Sequence, residues 1–185
     1  MLKALIIFFL LNFYNPAFSS IKERIIAQVQ LTNNLSFNFI QTIKDKKESG
    51  KCIIKYPKKI WCEYDTANKK IMVSDGKFLV IKIRNSGNYY IYPLRKTPLG
   101  TLLDKEYLIS KMKSLEPREV NNKYLNYTIL EGNNKINLFF DKKNLNLTGW
   151  QTEDLYQNLT ITFISAIEIN KDINNKIFIL PKNNK

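Results

Sequence analysis

The 185-residue sequence has no histidine, only two cysteines, six glycines and six prolines. Without histidine there is no Ser-His-Asp or Cys-His nucleophile system and no His-ligated zinc. Two cysteines are too few for a Cys-only structural zinc site. The glycines are scattered, so there is no Gly-rich loop to cradle a phosphate. Acids are sparse as well, at 16 against 29 Lys and Arg. Those between residues 40 and 160, among them Asp45, Glu48, Asp75 and Glu106, mostly fall in turns or beside lysines. No pair has a spacing that argues for acid–base work. Ser74 of Ser74-Asp75-Gly76 lies in a hairpin context with no histidine to activate it. The residues therefore predict no enzyme: no catalytic residue, no metal and no cofactor.

What is present is an apolar majority and an excess of lysine. Hydrophobic residues make up 44% of the chain, enough for a sizeable core in one domain. The formal charge is +13, carried by 25 Lys and only 4 Arg, alongside 22 Asn and 5 Ala. Proteins that grip phosphate favour Arg, whose planar fork binds it in bidentate fashion. The lysine excess therefore reads in large part as the imprint of an AT-rich genome on surface positions. The N-terminus bears on the rest. Met1-Leu2-Lys3 is a short positive segment, Ala4 to Leu11 is an unbroken apolar run, and Ala17-Phe18-Ser19 offers small residues at a cleavage site. This is the layout of a secretory signal peptide, too short to span a bilayer comfortably. The expected division is 1–19 signal peptide, 20–182 a single domain, and 183–185 a frayed tail. Cleavage removes Lys3, leaving 28 basic residues against 16 acids and a charge of +12. An exported protein meets little nucleic acid, so none is expected as a partner.

Periodicity gives the elements. Ser20 to Glu23 has the S-x-x-E capping-box pattern, and Ile21, Ile25 and Val29 follow at helical spacing, predicting a helix over 20–32. Leu35, Phe37 and Phe39 switch the period to two, predicting a strand over 35–44. Asp45-Lys46-Lys47 begins a turn, and strands follow over 50–56 and 60–65 around Pro57. A hairpin is expected at Ser74 to Lys77, with strands either side and a further strand over 89–94. Thr97 as N-cap and Pro98 at the first helical position predict a helix that puts Leu99, Leu102 and Leu103 on one face. A second helical piece fits 104–113. Strands are then expected at 123–130, 135–141, 145–152 and 157–168, with Phe178-Ile179-Leu180 as a last short strand. The predicted architecture is an antiparallel meander with an N-terminal helix and a central helical insert, in the α+β class.

Two features leave alternatives open. Cys52 and Cys62 flank the Pro57 turn symmetrically, which sets them opposite or one register step apart. They are either a disulfide, permitted in an oxidising compartment, or two buried thiols. The aromatic stripes Phe37/Phe39, Tyr56, Tyr64 and Tyr90/Tyr92 suit an ordinary core, and equally a sheet curled around an apolar ligand.

The order of motifs carries a resemblance. It runs from signal peptide and amphipathic helix through Phe39-x-Gln41, Gly50, Pro57 and Val73-Ser74-Asp75-Gly76. It continues with Tyr92-Pro93-Leu94-x-x-Thr97-Pro98-Leu99-x-x-Leu102-Leu103, and later Leu147-Thr148-Gly149-Trp150, Asp154 and Thr160-Ile161-Thr162-Phe163. The chain resembles the LolA-type periplasmic outer-membrane lipoprotein carriers, particularly their alphaproteobacterial branch, over nearly the whole mature length. The resemblance implies a strongly curved antiparallel sheet, an unclosed half-barrel, capped by the N-terminal helix and a central helical lid. It implies a monomeric, periplasmic carrier whose apolar cavity holds lipoprotein acyl chains. The partners implied are an inner-membrane ABC-transporter lipoprotein-release complex and, if present, an outer-membrane lipoprotein receptor. Ile25, Val29, Phe37, Phe39, Ile54, Tyr56, Tyr64, Leu99, Leu102 and Leu103 are then cavity and lid candidates, with Leu99, Leu102 and Leu103 in the lid. The family commonly has an Arg before the Pro57 position that bonds the closed lid; here Tyr56 stands there. A basic residue is common where Trp61 stands, and an aromatic where Cys62 stands. The alternative reading is an envelope module that binds another apolar ligand or a polyanion.

Overall fold

The computed structural model describes residues 19–132, 134–153 and 158–183. Residues 1–18 of the expected signal peptide, Asp154 and the last two residues of the expected frayed tail lie outside the described residues. Helix α1 (Ile21–Leu31) starts at Ser20, whose hydroxyl accepts from the Glu23 N–H at 3.2 Å. The Ser20 N–H donates back to the Glu23 carboxylate at 2.7 Å, completing the capping box. These bonds hold the exposed Glu23 carboxyl below its usual range, the backbone bond from Ser20 foremost.

Six strands follow: β1 (Asn34–Ile43), β2 (Lys46–Lys55), β3 (Lys59–Tyr64), β4 (Lys70–Asp75), β5 (Phe78–Ile83) and β6 (Tyr89–Pro93). A 3-10 turn (Leu94–Lys96) leads into α2 (Pro98–Leu102) and α3 (Lys105–Ser114). The chain returns as β7 (Arg118–Val120), β8 (Tyr124–Glu131), β9 (Asn134–Asp141), β10 (Leu147–Glu153) and β11 (Leu159–Ile169). All form one antiparallel sheet in the order β6-β5-β4-β3-β2-β1-β11-β10-β9-β8-β7. Each half is a meander, because short turns join antiparallel neighbours. The halves meet at β1–β11, where Ile40 lies opposite Phe163. Among the described residues the edges β6 and β7 do not pair, so the half-barrel stays open.

Period-two alternation sends one parity of each strand inward. Leu35, Phe37, Phe39, Ile54, Ile60, Cys62, Tyr127, Ile129, Ile136, Leu138 and Phe140 are all buried in one cluster with Ile25 and Met112 from the helices. Phe37 meets Trp150 edge-on at 5.9 Å between ring centroids, and Phe39 meets Tyr64 at 5.0 Å. The opposite parity is not all solvated. Ile71, Val73 and Val80 are buried outside that cluster, as is Phe178 of the C-terminal segment. That segment packs on β3 and β4 and is tied down by Lys55 Nζ donating to Asn175 Oδ1 at 2.7 Å.

Three expectations need correction. Phe178-Ile179-Leu180 is not a strand: residues Asn175–Phe178 form a 3-10 turn capped by the Asn174 side chain, which accepts from Lys176 N. The turn expected from Asp45 to Lys47 ends sooner, because β2 already begins at Lys46 opposite Ile43. Thr97 precedes α2 but does not cap it; its hydroxyl donates to Leu94 O at 2.8 Å instead. The short edge strand β7 has no counterpart among the predicted elements.

Candidate functional site

The inner face of the sheet is zoned. Near one end Gln41 Nε2 donates to Thr162 Oγ1 at 3.2 Å, among buried Thr152 and Thr160. Lys70 sits 3.8 Å from the Tyr64 ring centroid and pairs with Glu48. Burial, then the nearby Glu48 charge, pushes the Tyr64 phenol far above its usual range. Toward the other end the face is apolar, and there the helices close over it. Leu35 and Ile54 of β1 and β2, Leu138 and Phe140 of β9, and Trp150 of β10 line a cavity. Val29 of α1, Leu102 of α2, and Leu108 and Met112 of α3 form its roof.

This cavity is small, about 50 Å³. Pockets that take small molecules run to roughly 300–1,000 Å³. The bowl is therefore filled by its own lid: Leu102, Leu108 and Met112 are buried at 3%, 3% and 0% exposure. Each such side chain gains on the order of 1.5–3 kcal/mol by leaving water. Opening the lid forfeits that gain unless another apolar group replaces it.

Two lysines fasten the lid. Lys58 follows the cis Tyr56–Pro57 bond in the β2–β3 turn. Its N–H donates to Leu103 O at 3.0 Å, and its Nζ pairs with Asp104 Oδ2 at 2.9 Å. Lys105, at the start of α3, donates from Nζ to Gln30 O at 3.0 Å and Thr32 O at 3.1 Å. It thereby supplies the cation at the C-terminus of α1, whose own last turn has no basic residue. The Val73-Ser74-Asp75-Gly76 motif supports this fastening from behind. Ser74 is fully buried, and its hydroxyl donates to Lys58 O at 3.1 Å while accepting from Gly76 N at 3.1 Å. Gly76 takes φ +105°, a left-handed conformation that glycine adopts without a Cβ penalty. This buried hydroxyl, bonded on both sides, positions the turn.

Of the ten cavity and lid candidates, Val29, Ile54, Tyr56 and Leu102 line the cavity. Ile25, Phe37, Phe39, Tyr64 and Leu103 are buried around it, and Leu99 packs against the same core, without reaching the cavity wall. Tyr56 stands at the wall with its phenol pushed up to about 12 by burial. Cys52 and Cys62 lie opposite one another and are joined as a disulfide on this inner face, with Phe37 and Met72 on the flanking strands. The C-terminal half of the wall and the α3 roof were missed. Their signals were the alternation of Ile136, Leu138 and Phe140, and the four-residue step from Leu108 to Met112.

Residues 30–180 match the LolA family, described as outer membrane lipoprotein carrier protein. A comparison with curated proteins finds no match. A conserved protein of Thermus thermophilus is similar in fold, with TM-score 0.52 at 8% identity, over 86% of this chain and 94% of its own. A LolA superfamily protein of Nitrosomonas europaea gives TM-score 0.47 at 10% identity, over 86% of this chain and 97% of its own. An unclosed eleven-stranded sheet, a helical lid over its apolar face and a match covering most of the sequence place this chain in the LolA family of lipoprotein carriers.

Proposed function

We propose that this protein is a periplasmic carrier that shields the acyl chains of lipoproteins and ferries them from the inner to the outer membrane. It is not an enzyme on this reading. The observation that carries it is an apolar bowl occupied almost wholly by side chains of its helical roof. An acyl chain exposed to water costs about 0.8 kcal/mol per CH₂, so a long chain costs on the order of 10 kcal/mol. Such a chain compensates for lid opening by taking the place of Leu102, Leu108 and Met112 against the sheet. The fastenings are weak enough to release. A half-exposed pair such as Lys58–Asp104 contributes about 0–1 kcal/mol, and each neutral hydrogen bond roughly 1 kcal/mol net. Cargo would come from an inner-membrane ABC-transporter release complex and pass to an outer-membrane receptor where one exists.

Native mass spectrometry and lipid extraction of the protein purified from its own envelope test this directly. Bound acylated cargo is the expected result. Clean apo protein that binds polyanions in a salt-sensitive way would favour the alternative module instead. Leu102→Asp puts a charge in the cavity wall and should abolish acyl-chain uptake with the fold retained by circular dichroism. Unchanged uptake would remove the roof from the binding site.

A further inference from the structure

Strand β6 is an open edge of unusual chemistry. Its register with β5 pairs Ile81 with Tyr90 and Leu79 with Tyr92. The Ile83 N–H donates to Asn88 O at 2.9 Å and the Leu94 N–H to Lys77 O at 2.9 Å. Antiparallel pairs alternate, so residues 88, 90, 92 and 94 turn their backbone groups toward β5. The N–H and C=O of Tyr89 and Ile91 therefore point outward, and among the described residues no strand pairs with them. Pro93 then ends the row of donors. Tyr90 and Ile91 are 45% and 50% exposed, on opposite faces of the strand.

Along the chain, the stretch that carries this edge has charge of one sign. Between Asp75 and Asp104 there is no acid, while Lys77, Lys82, Arg84, Arg95 and Lys96 are all basic. Among the described residues none of the five forms an ion pair. Proteins often blunt an edge by placing charge on the edge strand itself. Here β6 carries no charge, and the cations flank it. The strand also leads to an open cleft of about 650 Å³ beside the lid, lined by Lys77, Phe78 and Arg95 but also by Glu131 and by Asp104, which pairs with Lys58. Tyr107, whose buried hydroxyl has no hydrogen-bond partner among the described residues, lines the same cleft.

We infer that the β6 edge, with the cations that flank it, forms a docking site for an extended, acidic polypeptide segment that adds to the sheet as a further strand. An anionic lipid surface would satisfy the cations but not the edge, because open sheet edges are not tolerated in hydrocarbon. A peptide satisfies both: its backbone completes the Tyr89 and Ile91 hydrogen bonds and its acids meet the flanking cations. The inference concerns a protein partner and stands apart from the carrier reading, since it needs no acyl chain.

The test uses the mature protein and a labelled peptide of alternating Glu and Val, followed by fluorescence anisotropy and amide hydrogen exchange. Binding should weaken with salt, and the Tyr89 and Ile91 amides should gain protection. N-methylation of alternate backbone nitrogens of the peptide should weaken binding about tenfold. Arg84→Glu with Lys96→Glu, both at exposed positions, should weaken it further while circular dichroism is unchanged. Equal affinity for the N-methylated peptide would overturn strand addition. So would protection elsewhere but not at β6, or capture by phosphatidylglycerol vesicles with no binding of the peptide.

Discussion

Asp104 makes two bonds at once. Its Oδ2 meets Lys58 Nζ at 2.9 Å, and its Oδ1 accepts from the Tyr107 N–H at 3.2 Å as the N-cap of α3. The pair is partly exposed and contributes little, whereas loss of an N-cap costs about 1 kcal/mol. Asp104→Ala should therefore destabilise the protein by roughly 1 kcal/mol more than Lys58→Met, as read from urea midpoints. An equal cost for both would mean the cap contributes nothing. Tyr56→Phe keeps the ring at the cavity wall, so cargo transfer should fall only modestly. The position before Pro57 is where the family resemblance directs attention. The structure places the lid contacts two residues after it, at Lys58, and on Lys105. Neither was legible in the sequence. A lysine among 25 carries no mark of its role, and reaching Leu103 and Gln30 depends on how distant elements meet.

Elements were more legible than contacts. The capping box at Ser20, the hairpin at Ser74–Lys77 and the α2 start at Pro98 are local chemistry, and local chemistry is written in adjacent residues. The Pro57 turn also fixed the choice for the cysteines to direct opposition or one step, and direct opposition is found. The C-terminal segment was misread for the opposite reason. Phe178 is buried where its segment packs on β3 and β4, a tertiary circumstance that a short apolar run cannot distinguish from a strand. The pairing of β1 with β11 is likewise invisible to periodicity, which gives the face of a strand but not its distant neighbour. One prediction belongs here. The disulfide closes a loop of sequence separation 10. In the chain-entropy picture such a link is worth roughly 2.5–3 kcal/mol. Replacing both cysteines with Ala should lower stability by about 2–3 kcal/mol in urea denaturation. No change would show that the β2–β3 pairing already constrains the unfolded chain.

For the whole molecule, the missing histidine becomes a statement about pH. Tyr56 and Tyr127 have phenols raised by burial from 10.0 to about 12. A raised folded-state value means stability is fully present below pH 10 and is lost as pH rises toward 12. Glu23 and Asp141 are held below their usual values by backbone hydrogen bonds, so their contribution is lost as pH falls through the acid range. Between these windows no side chain has an ordinary titration near neutrality. The urea midpoint should stay nearly flat from about pH 5.5 to 9 and fall on both sides. A marked step near pH 6.5 would contradict this. The sheet order has a last consequence, for how the protein comes to be made. The first and last strands are central neighbours, tied also by Asn170 Oδ1 accepting from Asn33 N across 137 positions. Each meander can assemble from local contacts, but the join between them must wait for the C-terminus and close a very long loop. A chain that assembles from its N-terminus thus first forms two half-sheets with raw inner edges. Only its final segment makes them one.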